Sequence, residues 1–382
     1  MIPDLRSRLK AVAERASAPV PRADCAVFRL EGPLPDGLEQ VTARDARRLG
    51  LEAPAFDVRR ALFLDTETTG LRGAGTVAFL VGMGWLEGDR FVVEQVLMRD
   101  YPEETSLLET VGARMAGFDS VVSFNGKSFD IPLLRDRFTM ARLRPLWREL
   151  PQLDLLHAAR RTWKERLENC ALSTLEASVL GTPRTDDLPG ALVPERYFQF
   201  LKCGDMALLE DVLRHNAQDI RSLAALLAHM ARVYAQAEAQ TSMLDVLSIG
   251  RALERFGEVE AARRCYRVVS VTALSERARL QLARSYRKAR DWGASADVYR
   301  DMIDRQEGGV DAYVALAVLL EHYLGDVRGA LQVTERALWR WSGADRFRVA
   351  DGGTLDALER RRARLEKKLS RIRETTTNGR KG

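Results

Sequence analysis

ALFLDTETTG, residues 61 to 70, runs from an apolar stretch into two acids and a Thr-Thr-Gly turn. The run ALFLDTE has the apolar, β-rich character of a buried strand. In a strand, side chains at i and i+2 share a face about 7 Å apart, so Asp65 and Glu67 point the same way. Two carboxylates held that close repel by roughly a few kcal/mol at an intermediate dielectric, a cost that cations in the site relieve. Hard oxygen donors of this kind suit Mg²⁺ or Mn²⁺. An Asp-x-Glu pair on an exposed strand is common, so its meaning depends on what surrounds it.

Downstream, TVAFLVGMGWL and FVVEQVLMR read as two further strands separated by Gly-containing turns. TSLLETVGARMAG has helical spacing, SVVSFNG reads as a fourth strand, and FDIPLLRDRFTMA returns to helix. This βββαβα order predicts an α/β domain whose mixed sheet is flanked by helices. Residues 1 to 60 hold a short amphipathic stretch and then the punctuated segment EGPLPDG, which reads as strands and turns rather than a separate core, and together they are taken as an N-terminal extension. The α/β domain is expected over 61 to 235. After about residue 240 strand signals vanish, so a helical domain is expected over 240 to 356, followed by a basic tail over 357 to 382. At 382 residues, two cores are the ordinary expectation.

Two more acids stand out. In SFNGKSFDIPLL, Asn125 follows a β-rich run and Asp130 opens a helical one, a place where Asp is ordinarily an N-cap. In RHNAQDIRSLAALL, Asp219 lies on a helix rich in Ala and Leu, where a lone Asp usually marks a solvated face. Their order along the chain changes that reading. DxExTG on the first strand, N-x(3)-F-D about sixty residues on and H-x(3)-D on a late helix resemble the three exonuclease motifs of the DEDD family. The segment around them is similar to the bacterial YprB-like branch of ribonuclease H-like proteins. GTVAFLVGMGW, LDLLHAARRTWKERLENCALSTLEASVLG, DDLPGALVPERYFQFLKCGD and HNAQDIRSLAALL carry that likeness.

The resemblance implies a ribonuclease H-like, DnaQ-like 3′-to-5′ exonuclease domain. It implies that Asp65, Glu67, Asp130 and Asp219 ligate two Mg²⁺ or Mn²⁺ ions and that a nucleoside monophosphate is released. His215 is the expected base, although its spacing departs from the pattern. In the histidine subclass the His usually precedes the last Asp by five positions, and in the tyrosine subclass a Tyr precedes it by four. Here the His stands at four, which on a helix puts it on the same face as Asp219; a capping or core-edge role is the alternative. Thr68 and Gly70 are expected to bring backbone close to a terminal nucleotide. Asn125 is expected to support the turn or touch substrate. Asp154 in LDLLH is either an auxiliary acid or a helix N-cap. Alternatives at the level of function are a catalytically weak or inactive nucleic-acid-binding scaffold and a structure-selective endonuclease.

In the helical region, GEVEAARRCY, RDWGASADVY and GDVRGALQVT superpose at spacings near those of tetratricopeptide repeats, whose period is about 34 residues. Ala262 with Tyr266 and Ser295 with Tyr299 match the small-then-aromatic pattern, while Ala330 with Thr334 is degenerate. Generic helical hairpins are the other reading. Such an array offers an extended face for a protein partner. The nucleic-acid partner has candidate contacts in RDRFTMARLRPLWR and in the tail, which holds ten Lys or Arg against three Glu and so exceeds the net charge of +5 on the whole chain. Cys25, Cys170, Cys203 and Cys265 form no Cys-x-x-Cys pair, which excludes a zinc site of that type. The first residues lack the apolar core of a signal peptide and no window approaches about 20 apolar residues, so a cytoplasmic protein without a membrane span is expected.

Overall fold

The computed structural model describes residues 24–70, 75–145, 150–185, 188–341 and 352–378. It divides into two compact units, Met1–Gln236 and Ala237–Gly382.

The first unit is built on a six-stranded mixed sheet. Its strands are β1 (Ala26–Pro33), β2 (Ala61–Thr68), β3 (Ala78–Glu87), β4 (Arg90–Leu97), β5 (Ser120–Ser123) and β6 (Gln152–Asp154), in spatial order β1-β4-β3-β2-β5-β6. The β1/β4, β4/β3 and β3/β2 pairs are antiparallel, and β2/β5 and β5/β6 are parallel. Parallel neighbours need crossovers. Helix α2 (Glu104–Met115) lies between β4 and β5, and α3 (Asp130–Met140) lies between β5 and β6. A short α1 (Ala43–Leu49) precedes β2; α4 (Leu155–Trp163), α5 (Leu172–Leu175), α6 (Val193–Cys203) and the 29-residue α7 (Ala207–Ala235) follow β6. The mixed, helix-flanked sheet is the α/β arrangement that the residue pattern predicts. The segment EGPLPDG, part of the stretch read as an extension, closes β1, which is hydrogen-bonded to β4 along its whole length.

Strand alternation sorts β2 into two faces. Leu62 and Leu64 are fully buried and join an apolar cluster with Leu108 and Val111 of α2 and Ile131 of α3. The opposite set carries Asp65 and Glu67. On β3, Gly82 and Gly84 make room for α7. A Cβ on Gly82 would stand 2.2 Å from Asn216 Oδ1, and one on Gly84 would stand 2.4 Å from Ile220 Cγ2. Four helical residues rise about 6 Å and two strand residues about 7 Å, so Asn216 and Ile220 fall over successive same-face positions of β3. The two glycines thus let the long helix lie against the sheet at the point where the acids project.

The second unit is helical among its described residues: α8 (Met243–Arg255), α9 (Val259–Val269), α10 (Ser275–Lys288), α11 (Trp292–Asp304), α12 (Gly309–His322), α13 (Val327–Trp341) and α14 (Gly352–Asn378). Consecutive helices pack as neighbours along the chain. Ala262, Tyr266, Ser295, Tyr299, Ala330 and Thr334 are all buried. Ser295 Oγ donates to the Ala283 carbonyl at 3.0 Å, tying α11 to α10. Leu358 and Leu365 of α14 are buried in the same apolar cluster, so the basic stretch begins as a packed helix.

Candidate active site

Strand β2 delivers Asp65 and Glu67, and its pairing with β3 slips by one residue between Glu67 and Thr68. Such a bulge bends the strand where it leaves the sheet. The turn beyond it is closed locally. Thr69 donates its N–H to the Val77 carbonyl at 2.9 Å, Val77 donates to Thr69 Oγ1 at 3.0 Å, and Thr68 Oγ1 donates to the Gly70 carbonyl at 2.8 Å. Among the described residues, a Cβ on Gly70 would meet nothing closer than Thr76 Oγ1 at 3.9 Å, so the fold itself does not demand glycine there.

Asp130 is the first residue of α3, not its cap; Phe129 holds the cap position without a side-chain bond. Its buried carboxylate accepts a short hydrogen bond from Thr66 Oγ1 on β2. The preceding turn is fixed by Asn125, in the left-handed region at φ 67°, and by Asp154. Asp154 accepts from the backbone N–H groups of Asn125 at 2.9 Å and Lys127 at 3.3 Å, and caps α4 through the Leu156 N–H at 3.0 Å. The auxiliary acid of the sequence reading is therefore engaged in holding the loop that aims Asp130.

Helix α7 delivers the rest. His215 Nε2 lies 4.0 Å from Glu67 Oε1 and 3.7 Å from Asp219 Oδ2, so the four-residue spacing sets the imidazole between two of the acids. Asn216, one position on, donates from Nδ2 to Asp65 Oδ2 at 2.9 Å. Arg184, in the loop before α6, donates to Asp219 and, through two nitrogens, to Glu176; its Nη1 lies 3.3 Å from His215 Nδ1. Glu176 is fully buried and also accepts from Ser222. Asn216, Arg184 and Glu176 were not singled out by sequence reasoning.

Electrostatics bind the acids into one site. Burial pushes the Asp65 carboxyl well above the usual carboxylate range, and the charges of Asp219, Glu67 and Asp130 add to it; the Asn216 hydrogen bond opposes them. Burial raises Asp130 to about 6, against its bond from Thr66. Asp219 is raised by burial despite His215 and Arg184. Asp65, Glu67, Asp130 and Asp219 carry oxygen donors of the class a hard divalent ion takes, and the repulsion that Asp65 feels from the other three is of the kind such an ion relieves. Each Asp also has a protein donor, and among the described residues no three acids, histidines or cysteines are drawn together as a closed ligand set.

Of the arginine-rich segment 135–148, Arg137 is held by Glu104; Trp147 and Arg148 lie outside the described residues. No helix among the described residues is long and apolar enough to cross a membrane.

A mixed sheet carrying acids on its central strand, with a further acid on a helix laid across it, is a ribonuclease H-like architecture, and the RNase H superfamily model matches residues 62–231. A Bacillus subtilis (strain 168) protein, "Uncharacterized protein YprB", is 32% identical over 327 residues, covering 84% of this chain and 78% of its own length. Residues 62–231 are a ribonuclease H superfamily domain, and the chain belongs to the family of that Bacillus protein. Among solved structures, the family B DNA polymerase of the archaeon Pyrobaculum calidifontis aligns at 17% identity and a TM-score of 0.37 over 56% of this chain. The alignment spans only 30% of the polymerase.

Proposed function

We propose that this protein is a divalent-metal-dependent 3′-to-5′ exonuclease that removes nucleoside monophosphates from DNA or RNA. The observation that carries the reading is the convergence on Asp65, which feels the charges of Glu67 from its own strand, Asp130 from α3 and Asp219 from α7. A protein gains nothing in stability from drawing such a group of like charges partly out of water, and perturbed acids cluster at sites of chemistry.

In this reading Asp65, Glu67, Asp130 and Asp219 hold Mg²⁺ or Mn²⁺. Bound divalent ions polarise the scissile phosphate and acidify the attacking water. His215 Nε2, set between Glu67 and Asp219, accepts the proton that the water gives up as its oxygen bonds to phosphorus. The bond from phosphorus to the 3′ oxygen of the preceding nucleotide then breaks. The backbone of Thr68 and Gly70 and the turn at Asn125 flank the acids and receive the terminal nucleotide. The helical unit, with its tetratricopeptide-like spacing, serves as a surface for a protein partner.

A second reading, a nucleic-acid-binding scaffold with weak or no catalysis, is favoured by one observation: Arg184 already gives Asp219 a cationic partner. One experiment decides between them. Oligonucleotides of DNA and of RNA, labelled at the 5′ end, are incubated with Mg²⁺ or Mn²⁺. The nuclease reading expects single-nucleotide ladders shortening from the 3′ end, abolished by Asp65→Ala. Intact strands with the unaltered protein would favour the scaffold, and internal cuts on end-blocked strands would make the enzyme an endonuclease.

A further inference from the structure

Three strands carry one row of residues: Asp65 of β2 is opposite Gly82 of β3, and Gly82 is opposite Gln95 of β4. Because the middle position has no side chain, Asn216 of α7 reaches over it and spans the outer two. Its Nδ2 donates to Asp65 Oδ2 at 2.9 Å, and its Oδ1 accepts from Gln95 Nε2 at 3.0 Å. Gln95 Nε2 also donates to the Leu213 carbonyl at 2.8 Å. Asn216 is wholly buried and Gln95 nearly so.

The direction of this chain of hydrogen bonds is set at its helix end, because a helix carbonyl only accepts. Gln95 must turn its nitrogen to the Leu213 carbonyl, which leaves its second N–H for Asn216. Asn216 must then present oxygen to Gln95 and nitrogen to Asp65. Reversing either amide would set oxygen against oxygen in a buried site, where an unmet acceptor is costly. Gln95 does not touch the acids, and it lies 30 residues along the chain from Asp65, on a different strand.

We propose that Gln95 and Asn216 are positioning residues that fix the orientation of the Asp65 carboxylate for a divalent cation, with Asn216 acting directly and Gln95 acting through it. The proposal rests on Asp65 being a ligand in the nuclease reading. Partners of this kind, behind the residues that hold a metal, typically change affinity or activity by about 10- to 100-fold when altered. Gly82 completes the device, since any side chain there displaces Asn216.

The test uses the full-length protein, with free Mn²⁺ measured by electron paramagnetic resonance during titration and strand shortening measured in parallel. Gln95→Glu replaces the donor with an acceptor. The Asn216 amide must then turn its nitrogen toward the new carboxylate and its oxygen toward Asp65. The expected result is about tenfold weaker Mn²⁺ binding and about a 10- to 100-fold lower kcat with KM for the oligonucleotide unchanged. Gln95→Met removes the hold without reversing it and is expected to show a smaller loss of both. It also carries the test should Gln95→Glu fail to fold. A merely structural role would lower the melting temperature of both variants while the folded protein bound Mn²⁺ and turned over as the unaltered one does, and that result overturns the proposal. If the unaltered protein binds Mn²⁺ without shortening strands, the nuclease reading fails while the Mn²⁺ affinities of the variants still decide the positioning role.

Discussion

Carboxylates are drawn out of water in both units, and Glu321 and Asp65 show opposite ways of doing so. In the helical unit, the fully buried side chain of Glu321 on α12 is met by Arg364 and Lys368 of α14, with His322 Nε2 3.3 Å away. The hydrogen bond from Arg364 holds its carboxyl below the usual range. In the sheet unit, Asp65 is half-buried among other acids and is raised well above that range. The first arrangement is a charge neutralised where it serves packing. Among the described residues the second is a cluster with more acids than cations, and that imbalance is what a divalent ion would fill.

The largest effect expected from breaking this contrast is on catalysis. Asp65→Ala should lower metal-dependent strand shortening by roughly a thousandfold or more, while circular dichroism shows the fold retained. An active Asp65→Ala protein would remove the acid from the chemistry. Next comes Arg184, a cation already at the site. Arg184 holds Asp219 and Glu176 together, and the double variant Arg184→Gln with Glu176→Gln removes that hold without leaving Glu176 as an unpaired buried charge. Releasing Asp219 should tighten Mn²⁺ binding by about tenfold, the scale of one hydrogen bond between charged groups. Unchanged affinity by calorimetric titration would mean that Arg184 does not compete for Asp219.

Arg364→Ala should cost the helical unit only about 1 kcal/mol in chemical denaturation, because Arg364 is 49% exposed and solvent screens the pair. Its Mn²⁺ binding should equal that of the unaltered protein. The effect sharpest in sign is on pH. Glu321 is lowered on folding, so its contribution is present above the ordinary glutamate range and is lost as pH falls through its folded value. Asp130 is raised to about 6 from an ordinary 3.8, so its ionisation burdens the fold increasingly as pH rises across that window. Asp130→Asn should therefore gain stability relative to the unaltered protein between about pH 4 and 6 and hold a constant gain above. Denaturation midpoints in metal-free buffer check this, and a gain already complete at pH 4 would refute it.

Much of this contrast was legible in the residues, though unevenly. The acids of β2 and the Asp219 helix announced themselves through spacing, and the central strands through apolar runs. Strand β1 is harder to see because five of its eight positions are exposed at the sheet edge, and β6 has only three residues. Within HNAQD, His215 and Asp219 drew attention while Asn216 between them looked like an ordinary helix polar residue. Its burial depends on Gly82, and the signal was a glycine inside an apolar strand, which marks close approach of another backbone or side chain. Glu176 and Arg184 had no local signal at all. They meet Asp219 only because the chain folds back after a single π-helical turn at Glu176–Leu180.

The contrast is measured most directly by the thermal melting of the unaltered protein and of Asp65→Asn at neutral pH, with and without Mn²⁺. If the acids of the sheet unit repel one another until a divalent ion joins them, Asp65→Asn melts higher than the unaltered protein in metal-free buffer. Mn²⁺ then raises the unaltered protein's melting temperature and leaves that of Asp65→Asn nearly unmoved. An unaltered protein that is indifferent to Mn²⁺ and loses stability on Asp65→Asn would contradict it.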